Sequence, residues 1–145
     1  MRIFEVKNKA IHSEKGEFLL GFRETGSHAC YLIYGVLKSK EKSRLVNPGP
    51  GHEEIVLAMK GDLEVKGYYS GRLKEGFAFH LDGEQECFLE NPGESDAAYI
   101  IAGGHSEAAR HKTLPLVWIF RSNSSVAGLD SKRVTPFSER TFSIS

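Results

Sequence analysis

The sequence predicts an all-β protein in which two sheets form a barrel or sandwich, and three observations support this. Short clusters of Val, Ile, Leu, Phe and Tyr recur at intervals of roughly ten residues, as strands do in such folds. The 15 glycines are spread along a chain of 145 residues, as expected where many turns connect short elements. Helix signals are thin, because the best window, residues 106–112, is too short to be stable without tertiary support.

Eight segments carry the strand pattern, each bounded by Gly, Pro, Asn or Asp. In chain order they are residues 17–22, 30–37, 53–59, 63–69, 77–81, 87–89, 99–102 and 116–120. Residues 47–51 are predicted as a loop, because two prolines lack donors and two glycines permit positive φ. The charge-rich residues 38–44 are predicted as a solvated strand end or an edge loop, whose lysines discourage edge pairing.

Composition excludes several classes of protein. Lys plus Arg equals 19 and Asp plus Glu equals 19, so the formal net charge is zero. This argues against nucleic-acid binding, because a protein that binds the phosphate backbone needs an excess of positive charge. No apolar run approaches the roughly 18 residues of a membrane helix, and residues 1–7 carry charge where a signal peptide is apolar. Cys30 and Cys87 alone argue against a disulfide framework. We therefore expect one cytoplasmic domain spanning residues 1–145.

The spacing of residues between positions 47 and 91 is informative. Glu54 is followed by six residues and then Gly61. Gly76 is followed by five residues, the triplet 82–84, two residues, Cys87, three residues and Asn91. These intervals resemble the two motifs of the cupin superfamily. The resemblance implies a double-stranded β-helix, or jelly-roll barrel, with a motif core over about residues 30–105 and terminal strands packed on it.

The resemblance also shows where this chain departs from the cupin pattern. The positions of the first-motif histidines fall on residues 47–50, which contain no histidine. The second-motif histidine is matched by Cys87, and the Pro-x-Gly turn is Asp-Gly-Glu at 82–84. Of the four residues that hold a metal in cupins, only Glu54 stands at its position. Metal-dependent chemistry therefore requires substitute ligands.

His52 is the nearest substitute ligand. It lies two residues before Glu54, so both side chains share one face of a strand. The resemblance places that face inside the barrel, with Cys87 approaching from a neighbouring strand. Imidazole, carboxylate and thiolate could together hold a divalent metal such as Zn, Ni, Fe or Mn. The alternative, which we favour, is a metal-free barrel in which His52 is a loop residue and Cys87 a buried apolar side chain.

Further histidines offer acid–base chemistry. His80 lies in a strand with two aromatic residues and could line the pocket, because histidine titrates near neutrality; the alternative is a half-buried histidine with one hydrogen bond. His105 follows two glycines and is predicted to lie in a surface loop. The predicted ligand pocket therefore contains His52, Glu54, His80 and Cys87, and the candidate catalytic residues are Glu54 and His80.

Three classes of function stay open. The preferred class is a barrel that binds a small molecule, without nucleic acid or membrane as partner. The resemblance implies a second, a metal-dependent enzyme such as an oxygenase, isomerase or epimerase. The apolar run at 114–120 supports a third, an assembly subunit. The resemblance also implies a homodimer.

Overall fold

Two antiparallel β-sheets enclose a common core in the part of the molecule that the structure, a computed structural model, describes: residues 1–106. The elements run in the order α1 (Val6–Ile11), β1 (Glu17–Leu20), α2 (Phe22–Thr25), β2 (Cys30–Leu37), β3 (Arg44–Val46), β4 (His52–Lys60), β5 (Leu63–Gly67), β6 (Gly71–Leu73), β7 (Ala78–Asp82), β8 (Cys87–Glu90) and β9 (Ala97–His105). Within this range no helix has the length and apolarity to cross a bilayer.

The strand order gives each sheet several crossovers. The five-stranded sheet has the order β1-β2-β9-β4-β7, and the four-stranded sheet has the order β3-β8-β5-β6. Every pairing is antiparallel. The predicted all-β jelly-roll class is confirmed.

Side chains alternate between the core and the outer faces, as strand geometry requires. On β4, Val56 and Ala58 are fully buried whereas Ile55 is 52% exposed. Both sheets contribute to one cluster of buried residues, namely Leu37, Val46, Val56, Ala58, Leu63, Val65, Leu73, Leu81, Cys87, Leu89, Ala97, Tyr99 and Ile101. The interior of the barrel is therefore filled mainly by aliphatic side chains.

Tyr99 is the largest fully buried side chain. Its ring lies over Gly35 on the neighbouring strand β2, where a Cβ atom would lie only 2.0 Å from Tyr99 Cζ. The Tyr99 hydroxyl donates a hydrogen bond to Glu17 and accepts one from Arg44 Nη1 at 2.9 Å. Arg44 also pairs with Glu41 at 2.5 Å. Strong polar contacts thus anchor the buried ring at its one hydrophilic atom.

Seven of the eight predicted strands lie within the described residues, and all seven are present: the strand at 30–37 matches β2, and the other six have shifted ends. The prediction of residues 38–44 as a solvated strand end or edge loop is confirmed for 38–43, a mostly exposed loop. It is wrong for Arg44, which begins strand β3 and whose guanidinium is bonded at the end of the barrel. Strands β3 and β6 and the helices α1 and α2 were not predicted. Residues 107–145 lie outside the description, so the helix over 106–112, the strand at 116–120 and a single domain over 1–145 stay predictions.

Helix α1 covers one half of the outer face of the five-stranded sheet. Val6 and Ala10, one turn apart, pack on a small second cluster that includes Tyr34, Val36 and Ala98. Six residues are too few for an isolated helix. Its stability therefore comes from the sheet, which explains why the sequence alone did not predict it.

We expect the substitution Gly35→Ala to destabilise the protein by about 2–3 kcal/mol, because the added methyl group would overlap the Tyr99 ring. Gly21→Ala is the control: a Cβ there meets its nearest atom at 3.6 Å, so the cost should be limited to that of alanine at the N-cap of α2, about 1 kcal/mol. Urea unfolding of the three proteins measures both values. Equal stability of the two variants would contradict the packing argument.

Candidate functional site

Four polar side chains meet where β2 and β4 begin and β9 ends, on the inner face of the five-stranded sheet. Tyr31 and Glu54 are both register partners of Gly103, which lies on the strand between them. His52 and His105 pair one step further toward the end of the barrel. We call Tyr31, His52, Glu54 and His105 the mouth cluster.

Glu54 is the most deeply buried member of the mouth cluster, with only 5% of the residue exposed. The Tyr31 hydroxyl donates a hydrogen bond of 2.6 Å to Glu54 Oε1. The Tyr31 ring reaches across Gly103, where a Cβ atom would lie 2.3 Å from Tyr31 Cζ. A glycine is thus what allows the tyrosine to approach the carboxyl group.

The second oxygen of the Glu54 carboxyl group is uncommitted. Oε2 is buried and has no hydrogen-bond partner within the described part of the chain. Burial raises the pKa of Glu54, against the opposing effects of the Tyr31 hydrogen bond and the nearby His52. Burial, together with the bond to Glu54 and its charge, also raises the pKa of Tyr31. The site therefore presents a carboxyl group with one buried oxygen atom free to bind a polar partner.

The two histidines connect this buried group to the surface. His52 Nδ1 donates to the Pro50 carbonyl at 3.1 Å, which fixes the ring at the start of β4. The ring centroids of His52 and His105 are 4.8 Å apart, and those of Tyr31 and His52 are 6.3 Å apart. His52 is half-buried and His105 is exposed. A polar ligand could thus contact imidazole and carboxyl groups together.

The structure brings together only two of the four residues of the predicted pocket. His52 and Glu54 share the inner face of β4, as their spacing predicted. His80 instead pairs in register with the exposed Ile55 and faces outward, because its neighbour Leu81 occupies the inward position. Its Nε2 lies 2.9 Å from Glu53 Oε2. His80 therefore does not line the interior of the barrel.

Cys87 belongs to the core of the four-stranded sheet. It is fully buried, its sulfur accepts the Tyr69 backbone N–H at 3.3 Å, and its thiol faces the Tyr69 carbonyl oxygen at 3.7 Å. Within residues 1–106, no three His, Cys, Asp or Glu side chains are grouped so that they could hold a metal ion. The set of His52, Glu54 and Cys87 is thus not assembled, and these residues do not fit a metal.

A separate cavity of about 510 Å³ opens on the outer face of the same sheet. Besides Tyr31, Glu54 and Gly103, its lining consists of Leu20, Thr25, Cys30, Leu32, Glu53, Ile55, His80, Ala102 and Gly104. We call this the outer cavity. His80 therefore lines a concave site, but this site lies on the side of the sheet that faces away from the barrel core.

Sequence reasoning missed two members of the mouth cluster. Tyr31 was not among the residues of the predicted pocket, and His105 was predicted in a surface loop, whereas it ends strand β9 opposite His52. The signal for Tyr31 lay in the alternation of β2, but its partner Glu54 is 23 residues away. Only the register of β2, β9 and β4 brings the two together.

Comparison with solved structures defines the class of fold. TT1209 from Thermus thermophilus is similar with a TM-score of 0.56 and 16% identity, over 72% of this chain and 98% of that one. An oxalate oxidase is similar with a TM-score of 0.54 and 17% identity, over 65% of this chain. The Cnp3 cupin domain of Schizosaccharomyces pombe has a TM-score of 0.53 and 11% identity, over 66% of this chain and 68% of that one.

These similarities show a cupin-type jelly roll, so the resemblance predicted from the motif spacing is confirmed for the fold. The chain spans about half of the oxalate oxidase, 53% of its length. No protein-family model matches the sequence, and no curated protein does. At identities of 11–17% the structural likeness defines the fold alone.

We expect Tyr31→Phe to destabilise the protein by about 1–3 kcal/mol, because it leaves both oxygens of the buried Glu54 without a donor. Tyr34→Phe on the same strand is the control, since the Tyr34 hydroxyl makes no hydrogen bond within residues 1–106. Its effect should stay within about 0.5 kcal/mol. Denaturant unfolding compares the two, and a Tyr31→Phe variant as stable as the control would disprove the role of this bond.

The raised pKa of Glu54 predicts a pH-dependent stability. Below the unfolded-state value of 4.5 the carboxyl group is protonated in both states, and its favourable contribution is complete. As the pH rises through the higher native-state pKa, this contribution is lost because the native state resists ionisation. The variant Glu54→Gln does not titrate. Its free energy of unfolding relative to wild type should therefore increase as the pH rises above 4.5, and a constant difference would contradict the shift.

Proposed function

We propose that the protein binds a small hydroxylated acid at the mouth cluster, and that binding does not require a metal. The observation that supports this most directly is the buried Glu54 Oε2, which lacks a partner within the described residues. A buried polar atom left unsatisfied is unfavourable by about 1–3 kcal/mol. A ligand hydroxyl that reaches this atom would recover that energy, which gives the site a preference for hydroxylated molecules.

The histidines support the acidic part of the proposed ligand. His52 and His105 lie at the end of the barrel, one register step beyond Glu54. The His105 imidazole can donate a hydrogen bond to a carboxylate, whereas His52 already donates from Nδ1 to Pro50 and donates from Nε2 only when both of its ring nitrogens carry protons. A small hydroxy acid would place its hydroxyl at Glu54 and its carboxylate at the imidazoles. One similar structure is an oxalate oxidase, a protein whose name refers to a small carboxylic acid.

The donor set argues for metal-free binding. Cys87 is occupied by the backbone of Tyr69, and Glu54 Oε1 accepts from Tyr31. Although His105 lies beside His52 and Glu54 in the mouth cluster, the described residues contain no grouping of three His, Cys, Asp or Glu side chains that could hold a metal ion, whereas an open metal site needs three protein ligands. The specificity of the proposed site would then come from hydrogen bonds and shape.

The raised pKa of Glu54 favours a second candidate, an enzyme of the same ligand class. A buried carboxyl group with a raised pKa holds its proton to a higher pH than usual, and such a group can act as a general acid or base. In that case Glu54 would exchange a proton with the bound hydroxyl, and Tyr31 would hold the carboxyl group in position. His80, the other predicted catalytic residue, has no part in this because it faces outward.

Glycolate and acetate form a matched pair of probes, because they differ only in the hydroxyl group. We expect glycolate to perturb the amide resonances of β4 and β9 near the mouth cluster and to bind about tenfold more tightly than acetate, the equivalent of one hydrogen bond to a charged group. Glu54→Gln should weaken glycolate binding, whereas Glu84→Gln, an exposed loop residue, should not.

The same titration tests the metal-free part of the proposal. Protein treated with EDTA should bind glycolate with unchanged affinity. Loss of binding that is restored by a divalent metal would favour a metal site instead. Equal affinities for glycolate and acetate would overturn the role of the hydroxyl group.

A further inference from the structure

The outer face of the five-stranded sheet is divided into two halves. Helix α1 packs on one half, over Tyr34, Val36 and Ala98. The other half carries the outer cavity, whose volume of about 510 Å³ is in the range of pockets that hold small ligands. Tyr31 and Glu54 contribute to its lining, but the proposed function does not use the side chains that face this outer side of the sheet.

We propose that the outer cavity is a second binding site, for a small organic cation with an apolar body, such as a primary alkylamine. The floor of the cavity fits the apolar body. Ala102 and Gly104 on the central strand β9 form a shallow trough, because their neighbours Leu32 on β2 and Ile55 on β4 carry larger side chains. Ala102 is exposed and Ile55 is 52% exposed, so this apolar surface gains by being covered.

The charges at the end of the trough select the head group. Glu53 and His80 lie side by side on β4 and β7, with His80 Nε2 2.9 Å from Glu53 Oε2. When the imidazole is neutral, its Nε2–H donates to the carboxylate, which keeps its negative charge. Glu53 Oε1 makes no further hydrogen bond within residues 1–106. An ammonium group on the ligand would find an acceptor there.

Among the described residues, the lining of the outer cavity contains no Lys or Arg that could pair with an anionic ligand. Among the same residues, the titratable groups of the lining besides Glu53 and His80 are Glu54, Tyr31 and Cys30. A carboxylate would therefore meet repulsion from Glu53, whereas an ammonium group would be attracted. This asymmetry is why we assign an amine and exclude a fatty acid of the same length.

The test uses the full chain and three probes with the same six-carbon body: hexylammonium, hexanol and hexanoate. We expect hexylammonium to shift the amide resonances of Ala102, Ile55 and their neighbours in nuclear magnetic resonance spectra. It should bind at least about tenfold more tightly than hexanoate, with hexanol between them. This order separates charge recognition from simple burial of the alkyl chain.

Two variants localise the site, and a third serves as control. Glu53→Gln should weaken hexylammonium binding by about fivefold, the size expected for a half-exposed charge contact, while hexanol binding stays unchanged. Ala102→Leu fills the trough and should remove binding of all three probes. Glu84→Gln, which removes one exposed carboxylate elsewhere, should change nothing.

Several results would overturn the proposal. They are the absence of any shift with hexylammonium, equal affinity for hexanoate, or unchanged hexylammonium affinity in Glu53→Gln. The last of these decides the question even if Ala102→Leu does not fold. Because glycolate binding at the mouth cluster is measured on the same samples, failure of this proposal and failure of the proposed function are distinguishable.

Discussion

The structure depends on tyrosine rings that lie flat over glycines of the five-stranded sheet. Tyr99 over Gly35 fills the core, and Tyr31 over Gly103 reaches the carboxyl group of Glu54. In each case the glycine has no side chain, and the tyrosine ring from the next strand occupies the space that this leaves. The tyrosine hydroxyl then donates a hydrogen bond to the carboxyl group of a glutamate on another strand. Packing and polar organisation are thereby fixed by the same contacts.

The motif spacing predicted the fold because the residues that resemble the cupin pattern determine backbone geometry. Gly61 and Gly76 lie in turns with φ of 77° and 83°. Asn91 is buried, and its Nδ2 donates to the carbonyl oxygens of Leu37, Lys38 and Ser95, which holds the connection between β8 and β9. Such constraints act over a few residues, so their spacing can be read from a sequence.

The site could be predicted only in part, since its partners meet across strands. His52 and Glu54 share a face because of local alternation, and that pairing was predicted correctly. The contact of Glu54 with Tyr31, and of His52 with His105, requires the register of three strands. Predicting the orientation of His80 and the burial of Cys87 would also have required the register of their strands. Homodimer formation and a cytoplasmic location rest on the sequence alone and stay predictions.

Glu53 and Glu54 are consecutive residues whose side chains point to opposite sides of one sheet. Point substitutions can therefore alter either side almost independently during evolution. A slip of β4 by one residue against its neighbouring strands is different, because it would turn every side chain to the opposite face and exchange the two carboxylates. A change in chain length therefore preserves both faces only where the loop before His52 absorbs it.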